Sequence, residues 1–173
     1  MKKKLVNFKA VFEGDFHYDN LHKSIYATDA SVYRKLPLAV AFPKTEKAIQ
    51  QLIEFAQKSN TSLVPRTAGT SLAGQCVGDG IVVDVSKYFT NILSVDIQTK
   101  TVTVQPGVIR DELNAYLKQY GLFFGPNTST SNRCMIGGMV GNNSSGTTSI
   151  QYGVTRDKVL QLKTILSNGE TSV

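Results

Sequence analysis

The glycines of this chain are concentrated in two segments, and this feature most constrains how it can fold. Most of the 14 glycines lie between Gly69 and Gly80 or between Gly137 and Gly153. A local excess of glycine marks backbone that takes positive φ or that comes close to another group. We therefore expect two specialised loops, residues 66–75 and residues 125–153, held by a more regular scaffold.

That scaffold is indicated by short apolar runs that alternate with two amphipathic patterns. Buried strands are predicted over residues 38–42, 62–65 and 81–85, and a hairpin over residues 92–96 and 101–105. One helix begins after Thr45 and ends at Ser59-Asn60, and a second covers residues 109–120 before Gly121. The alternation predicts an α+β or mixed α/β domain.

The two ends of the chain are less regular. Residues 5–12 read as an irregular lead-in, and residues 13–36 as a loop-rich arm with one short helical turn. Near the other end, Val159–Leu166 is predicted to be a strand, followed by a hairpin turn at residues 167–170. Because the sequence stops within the returning strand, we expect a fragment of a longer protein.

Composition argues against several classes of protein. The net charge is +6, but the only basic run is Lys2-Lys3-Lys4, so a nucleic-acid site is not expected. No apolar stretch is long enough to span a bilayer, and no signal peptide follows the basic start. Cys76 and Cys134 fit no metal-ligand spacing and are expected to be small buried residues of a reduced, cytoplasmic protein. His17 and His22 are expected to be surface histidines, with no metal site.

The first loop follows a strand and is rich in small side chains and hydroxyls. Gly69, Thr70, Ser71 and Gly74 would let backbone N–H groups converge on an anion, and Arg66 would add charge at the mouth of the loop. The alternative is a long polar turn between two strands. The phosphate motif G-x-x-x-x-G-K-S/T is absent because Gln75 stands in the lysine position, and no G-x-G-x-x-G precedes a helix.

The second loop is unusually long and carries many hydroxyl and amide groups. Loops of this length inside a domain are usually functional. Its side chains suit a ligand with many hydrogen-bonding groups, such as a diphosphate with ribityl and ribose hydroxyls. The alternative is a disordered tract, but the apolar pairs Met135-Ile136 and Met139-Val140 favour packed backbone.

Four motifs in order resemble the FAD-binding domain of the vanillyl-alcohol oxidase/p-cresol methylhydroxylase family. They are Pro65–Gln75, Val104–Val108, Ile136–Gly146, and Tyr152-Gly153 with Asp157. Within that family the chain is similar to the FAD-linked oxidases typified by the glycolate oxidase flavoprotein subunit and D-lactate dehydrogenase. The segment Tyr26–Arg34 is similar to large members that carry a C-terminal iron–sulfur portion.

The resemblance implies an α+β fold of two α/β subdomains, the second incomplete here. The expected division is an N-terminal arm (1–36), a first FAD-binding subdomain (37–108) and the start of a second (109–173). The first loop would bind the pyrophosphate through backbone amides from Thr67 to Ser71, with Gly74 and Gln75 towards the flavin. The FAD-binding residues implied are Arg66, Thr67, Ala68, Gly69, Thr70, Ser71, Gly74, Gln75, Pro126, Ser129, Thr130, Gly137, Gly138, Asn143, Gly146 and Gly153.

The resemblance also implies a flavin-dependent oxidoreductase that oxidises a D-2-hydroxy acid (lactate, glycolate or 2-hydroxyglutarate) to the 2-oxo acid. Electrons would pass to a quinone or an iron–sulfur acceptor, and the full-length protein could lie at the inner membrane as a peripheral protein. Some members tether FAD through a histidine in the first loop, and none lies between Arg66 and Gln75. Substrate and base residues of the family would lie beyond Val173. The alternatives are a UDP-N-acetylenolpyruvoylglucosamine reductase-like flavoenzyme and a non-catalytic nucleotide-binding module.

Overall fold

The computed structural model describes residues 1–173. The chain forms two compact units, the first made of Met1–Tyr88 with Gln161–Val173 and the second of Phe89–Leu160. These bounds differ from the ranges expected for the arm and the two subdomains, and the division into FAD-binding subdomains stays a prediction.

The first unit is built on a four-stranded sheet. Its strands are β1 (Gly14–His17), β2 (Ala39–Pro43), β3 (Leu63–Arg66) and β4 (Ile81–Asp84), in the order β1-β2-β4-β3. The three predicted strands pair in parallel, and β1 is antiparallel to β2. Because β4 is the central partner of β2 and β3, all four of its residues are buried. The carboxyl ends of β3 and β4 lie side by side, with Arg66 opposite Asp84.

Three helices belong to this unit: α1 (Lys2–Val11), α2 (Asn20–Ile25) and α3 (Glu46–Ser59). Helix α3 has the predicted limits, because the Thr45 side chain accepts a hydrogen bond from the N–H of Ala48 and Asn60 ends the helix in the left-handed conformation. Its apolar face is buried through Ala48 and Leu52. The crossover from β2 through α3 to β3 is the connection that a parallel pair requires.

The predictions for the N-terminal residues were wrong in two places. Residues 5–12 are mainly helical, since Leu5, Phe8 and Phe12 fall at helical spacing and are buried in the core of the first unit. The arm also contains β1, whose pairing with β2 depends on residues far away in the sequence. The irregular lead-in and the wholly loop-rich arm are corrected accordingly.

The second unit begins with the predicted hairpin, β5 (Ile92–Asp96) and β6 (Thr101–Val104). Helix α4 (Arg110–Leu117) continues into a 3₁₀ turn (Lys118–Tyr120) and ends at Gly121 with φ of 67°. The core of this unit consists of Val108, Leu113 and Leu117, packed against side chains of the hairpin. Two short helices, α5 (Ile136–Asn142) and α6 (Ser149–Tyr152), and a 3₁₀ turn (Thr155–Lys158) follow.

The end of the chain forms a small hairpin of β7 (Thr164–Ile165) and β8 (Thr171–Ser172). The hairpin was predicted, but the long strand Val159–Leu166 was wrong because only two of its residues pair. Gln50 and Gln57 of α3 donate to the carbonyls of Gly169 and Ser167, at 2.9 and 2.7 Å. These bonds attach the hairpin to the first unit. With helices packed beside sheets in each unit, the predicted α+β class is confirmed.

Candidate functional site

The first loop leaves β3 at Arg66 and presents a continuous row of free backbone donors. The N–H groups of Thr67, Ala68, Gly69, Thr70, Ser71 and Leu72 make no hydrogen bond within the chain. Gly69 and Gly74 have φ of 65° and 71°, a conformation that glycine adopts without steric cost. Successive N–H groups around a residue of positive φ form a concave anion-binding nest. The unpaired N–H groups are compatible with the expected anion site, which stays a prediction.

The side chains of this loop divide into two groups. The Ser71 hydroxyl accepts from the N–H of Ala73 at 3.1 Å and donates to the Gln75 side chain at 2.8 Å, so these two residues shape the end of the loop. The hydroxyls of Thr67 and Thr70 make no hydrogen bond within the chain and can serve a ligand.

The Arg66 guanidinium is directed towards the N-terminal arm. Its Nη1 donates to the carbonyl oxygen of Thr28 at 2.7 Å, and the guanidinium lies 5.0 Å from the centroid of the Tyr26 ring. A Cβ built on Gly69 would lie 2.4 Å from Nη2 of Arg66. Arg66 therefore packs behind the loop against Gly69, and its expected contact with phosphate stays a prediction.

Buried polar groups lie beneath the same loop. The Tyr26 hydroxyl donates to Asp84 at 2.6 Å, and burial together with this carboxylate raises the pKa of Tyr26. The Cys76 thiol lies 3.5 Å from a carboxylate oxygen of Asp29, and burial raises the pKa of this thiol. Cys76 is therefore a buried thiol kept in its neutral form, as predicted for a small core residue.

The second segment, residues 125–153, is not the continuous loop that the sequence suggested, because α5 and α6 lie within it. It does contain a second row of free donors, the N–H groups of residues 127–130. The Asn127 Oδ1 atom is buried and has no hydrogen-bond partner in the chain. Buried polar atoms are nearly always paired, so this orphan atom marks a place where a ligand group could bind. Sequence reasoning did not single out Asn127, whose amide looks like any other in a polar tract.

Two glycines of this segment allow very close packing. A Cβ at Gly146 would lie 1.5 Å from the carbonyl oxygen of Asn127, and one at Gly137 would lie 2.4 Å from Cβ of Pro106. The N–H of Gly137 donates to the Pro106 carbonyl at 2.8 Å. Gly137 thus joins the Val104–Val108 motif to α5, and its N–H is not free for a ligand. The neighbouring N–H of Gly138 makes no hydrogen bond within the chain.

The remaining predicted residues of the second unit have varied surroundings. Pro126 is fully buried and its carbonyl accepts from the Arg110 guanidinium at 3.1 Å. Ser129 is exposed, and the carbonyl of Thr130 accepts hydrogen bonds from backbone N–H groups three and four residues later. The Asn143 side chain accepts from a backbone N–H at 3.0 Å, and Gly153 has φ of 77°. The predicted site residues thus form one set in the first unit (66–75) and one in the second (126–153).

The two histidines were expected to be surface residues without a metal site, and the structure places both of them, half-buried, beside Asp19. Their rings stack with centroids 3.7 Å apart, and Nδ1 of His22 lies 2.9 Å from the Asp19 carboxylate. The ring planes are nearly parallel, at 11°. The potential ligand atoms of His17, Asp19 and His22 all lie within 4.8 Å of one another, and the expected absence of a metal site stays a prediction.

Comparison with known proteins identifies the protein family to which the chain belongs. Residues 37–173 match the family described as FAD binding domain. Since the match extends over most of the sequence, the chain belongs to this FAD-binding family.

Several curated relatives are similar over nearly the whole chain. D-2-hydroxyglutarate dehydrogenase of Haemophilus influenzae is 43% identical over 162 residues, which is 92% of this chain and 16% of that protein. The glycolate oxidase subunit GlcD of Bacillus subtilis is 35% identical over 158 residues, 90% of this chain and 34% of that protein. The chain thus spans about a sixth to a third of these relatives.

Solved structures show the same fold at low sequence identity. An alkyldihydroxyacetonephosphate synthase superposes with a TM-score of 0.85 and 21% identity, covering 98% of this chain and 34% of that chain. A p-cresol methylhydroxylase with bound substrate gives a TM-score of 0.84 and 16% identity, covering 99% of this chain and 34% of that chain. No helix of the structure is long and apolar enough to cross a bilayer.

Proposed function

We propose that this chain is the FAD-binding part of an oxidoreductase that converts a D-2-hydroxy acid to the corresponding 2-oxo acid. The observation that carries the proposal is the row of six unpaired N–H groups from Thr67 to Leu72, in a chain of the FAD binding domain family. A diphosphate offers several anionic oxygens, and hydrogen bonds from N–H groups to anions are among the stronger ones. The donor set of the first loop therefore fits the pyrophosphate of FAD.

The residues proposed to hold FAD are those of the two sets described above, with Arg66 acting from behind the first loop rather than by direct contact. In the first loop the backbone of Thr67–Ser71 would bind the pyrophosphate, and Gly74 and Gln75 would lie towards the flavin. In the second unit the free N–H groups of residues 127–130 and the orphan oxygen of Asn127 offer both donors and an acceptor. The proposed contacts there, to pyrophosphate, ribityl and adenine, come from Pro126, Ser129, Thr130, Gly137, Gly138, Asn143, Gly146 and Gly153. Because the Gly137 N–H is already bonded, Gly137 would contribute through close approach rather than as a donor.

When bound, FAD supplies the redox chemistry by accepting a hydride from the substrate carbon that bears the hydroxyl. The residues of this chain bind the cofactor and fix its position. We assign no catalytic base to them, since the buried Asp84 and the half-buried Asp29 already accept hydrogen bonds from Tyr26, Ser86 and Ser31. The base and the substrate-binding groups are proposed to lie in the parts of the full-length protein that correspond to the longer relatives.

The names of the relatives support the substrate class. They include D-2-hydroxyglutarate dehydrogenases, a glycolate oxidase subunit and a D-lactate dehydrogenase of Saccharomyces cerevisiae. All three substrates are small 2-hydroxy acids. We also propose that electrons leave to a quinone or to an iron–sulfur cluster elsewhere in the full-length protein. Two free, buried cysteines agree with a reducing compartment, and we propose the cytoplasm, with peripheral attachment to the inner membrane.

The test starts from the full-length protein purified without added flavin. We expect a yellow protein whose flavin is released by acid precipitation and is identified as FAD by chromatography, because the first loop has no histidine that could form a covalent link. Flavin that stays in the precipitate, or FMN in the supernatant, would contradict this.

The substrate class is tested by anaerobic mixing of the yellow protein with D-lactate, glycolate or D-2-hydroxyglutarate. Loss of flavin absorbance with one of these acids, and not with the L-enantiomer of a chiral one, is the expected result. Bleaching by NADPH alone would favour the reductase alternative. A protein that binds FAD but is reduced by none of them would contradict the proposed activity.

A further inference from the structure

The segment Tyr26–Arg34, which we name the arm segment, lies against the first loop at four places. Arg66 donates to the carbonyl of Thr28 at 2.7 Å, and the N–H of Ala30 donates to the carbonyl of Gly69 at 3.1 Å. Asp29 contacts the Cys76 thiol, and the Tyr33 ring packs on Gly74. The contacts therefore cover the loop from its first residue to the residue that follows it.

The arm segment has a defined shape of its own. Thr28 and Arg34 form an isolated antiparallel bridge, and the N–H of Lys35 donates to the carbonyl of Ala27 at 2.9 Å. Ala27 is completely buried, and Asp29 accepts a hydrogen bond from the N–H of Ser31. These internal hydrogen bonds fix the backbone of the arm segment, so it can restrict the conformation of the first loop that it contacts.

One contact decides where a donor of the first loop points. In a trans peptide the carbonyl and the N–H point in opposite directions. Because the Gly69 carbonyl is turned towards Ala30, the N–H of Thr70 in the same peptide unit points away from the arm segment. That N–H is one of the six unpaired donors. Loss of the Ala30 contact would leave this peptide free to rotate.

Arg66 connects the two elements. Its guanidinium bonds to Thr28, lies over the Tyr26 ring at 5.0 Å from the centroid, and leaves no room for a side chain at Gly69. A planar guanidinium can do all three at once, whereas the ammonium of a lysine has neither the flat face nor the fixed fork of donors.

We propose that the arm segment and Arg66 hold the first loop in its FAD-binding conformation, so that Arg66 is a positioning residue and not a phosphate ligand. The inference rests on the proposed role of the first loop in binding FAD. It assigns part of the cofactor affinity to residues 26–34, which lie outside the 37–173 match to the FAD binding domain. A preformed binding loop raises affinity because the loop loses little conformational entropy when the ligand binds.

The experiment measures FAD affinity in the flavin-free full-length protein and in three variants. Arg66→Ala and Arg66→Lys both remove the contact between the guanidinium and the arm segment. Each should weaken FAD binding about tenfold to hundredfold, as expected for loss of a charged hydrogen bond. Lys47→Ala is the control, since it removes a positive charge from the first unit outside the arm segment and the first loop, and the exposed Lys47 side chain makes no hydrogen bond or ion pair. It should leave the FAD Kd unchanged.

A second readout is hydrogen exchange of peptides covering residues 26–35 in the flavin-free protein. Exchange should rise in both Arg66 variants and stay at the wild-type level in Lys47→Ala. This measurement does not depend on FAD, so it tests the contact between the arm segment and the first loop even in a protein that binds no flavin.

The outcomes separate the possible failures. If Arg66→Lys kept wild-type affinity while Arg66→Ala lost it in a salt-dependent way, Arg66 would be a phosphate ligand and the inference would be overturned. Wild-type FAD affinity or unchanged exchange in both Arg66 variants would also overturn it. If the wild-type protein bound no FAD at all, the proposed function would fail, and raised exchange would still show that Arg66 holds the arm segment.

Discussion

Replacement of Gly69 by alanine tests the geometry of the first loop directly. At φ of 65° an L-residue costs roughly 1–2 kcal/mol relative to glycine. The new methyl group would also lie 2.4 Å from Nη2 of Arg66, so the guanidinium must move by about 1 Å to reach an ordinary contact of about 3.5 Å. A movement of that size weakens or breaks the bond to Thr28. We therefore expect a loss of FAD affinity of about tenfold to hundredfold.

Gly121 supplies a matched control for the backbone term. Its φ is 67°, and a Cβ there would meet nothing within 4 Å. Gly121→Ala therefore carries the same conformational cost without a steric contact. Both variants should lower the melting temperature of the flavin-free protein by a few degrees, but only Gly69→Ala should lose FAD.

The assay is a titration of each flavin-free protein with FAD, followed by fluorescence, next to a thermal melt of the same sample. Gly69→Val should abolish retention of FAD, because a β-branched residue is a stronger outlier at this φ. Wild-type FAD affinity in Gly69→Ala, or an equal loss in Gly121→Ala, would refute the reasoning. The first result would place the cofactor away from Gly69, and the second would reduce the effect to general destabilisation.

Three other predictions concern the chain itself. The isolated chain of residues 1–173 should bind FAD weakly, because it spans only about a sixth to a third of the relatives it matches; a submicromolar Kd in a titration would contradict this. Tyr26→Phe should lower the free energy of unfolding by about 1–3 kcal/mol in urea titrations, since it removes one hydrogen-bond donor from the buried Asp84 carboxylate. Tyr88→Phe should lower the free energy of unfolding by less, because its partner Asp15 keeps the hydrogen bond from Lys87. Hydrogen bonds from the backbone and ring of His22 lower the pKa of Asp19 to about 2, so its carboxylate stabilises the fold above about pH 4 and this contribution is lost as the pH falls towards 2. The melting temperature of Asp19→Asn, which keeps a helix cap, should lie below that of the wild type at pH 6 and approach it at pH 2; a constant difference would contradict this assignment.

The elements that could be predicted from the sequence are those with local signals. Helix α3 has a threonine cap, an apolar stripe and a left-handed asparagine within one short stretch, and it was predicted nearly to the residue. Helix α1 has a weak apolar pattern beside a lysine run, and its helical state depends on burial of Leu5 and Phe8 in a core made by distant residues. Strand β1 likewise depends on a partner more than twenty residues away.

In the candidate site too, only features with a local sequence signal could be predicted. The glycine and hydroxyl content of the first loop predicted available backbone donors there, because composition is a local property, whereas the second row of donors, residues 127–130, contains no glycine. The direction of the Arg66 side chain was not predictable, since its partner Thr28 is 38 positions away. The burial of the orphan Asn127 side-chain oxygen likewise leaves no trace in local composition.

The return of Gln161–Val173 to the first unit has a consequence for synthesis on the ribosome. The first unit is interrupted by the whole of the second, and the amide groups of Gln50 and Gln57 meet their partners only after that stretch has emerged. At about 5–20 residues per second, this delay is on the order of several seconds. During that time these two amides are exposed to water in the nascent chain, so attachment of the hairpin is the last step in completing the first unit.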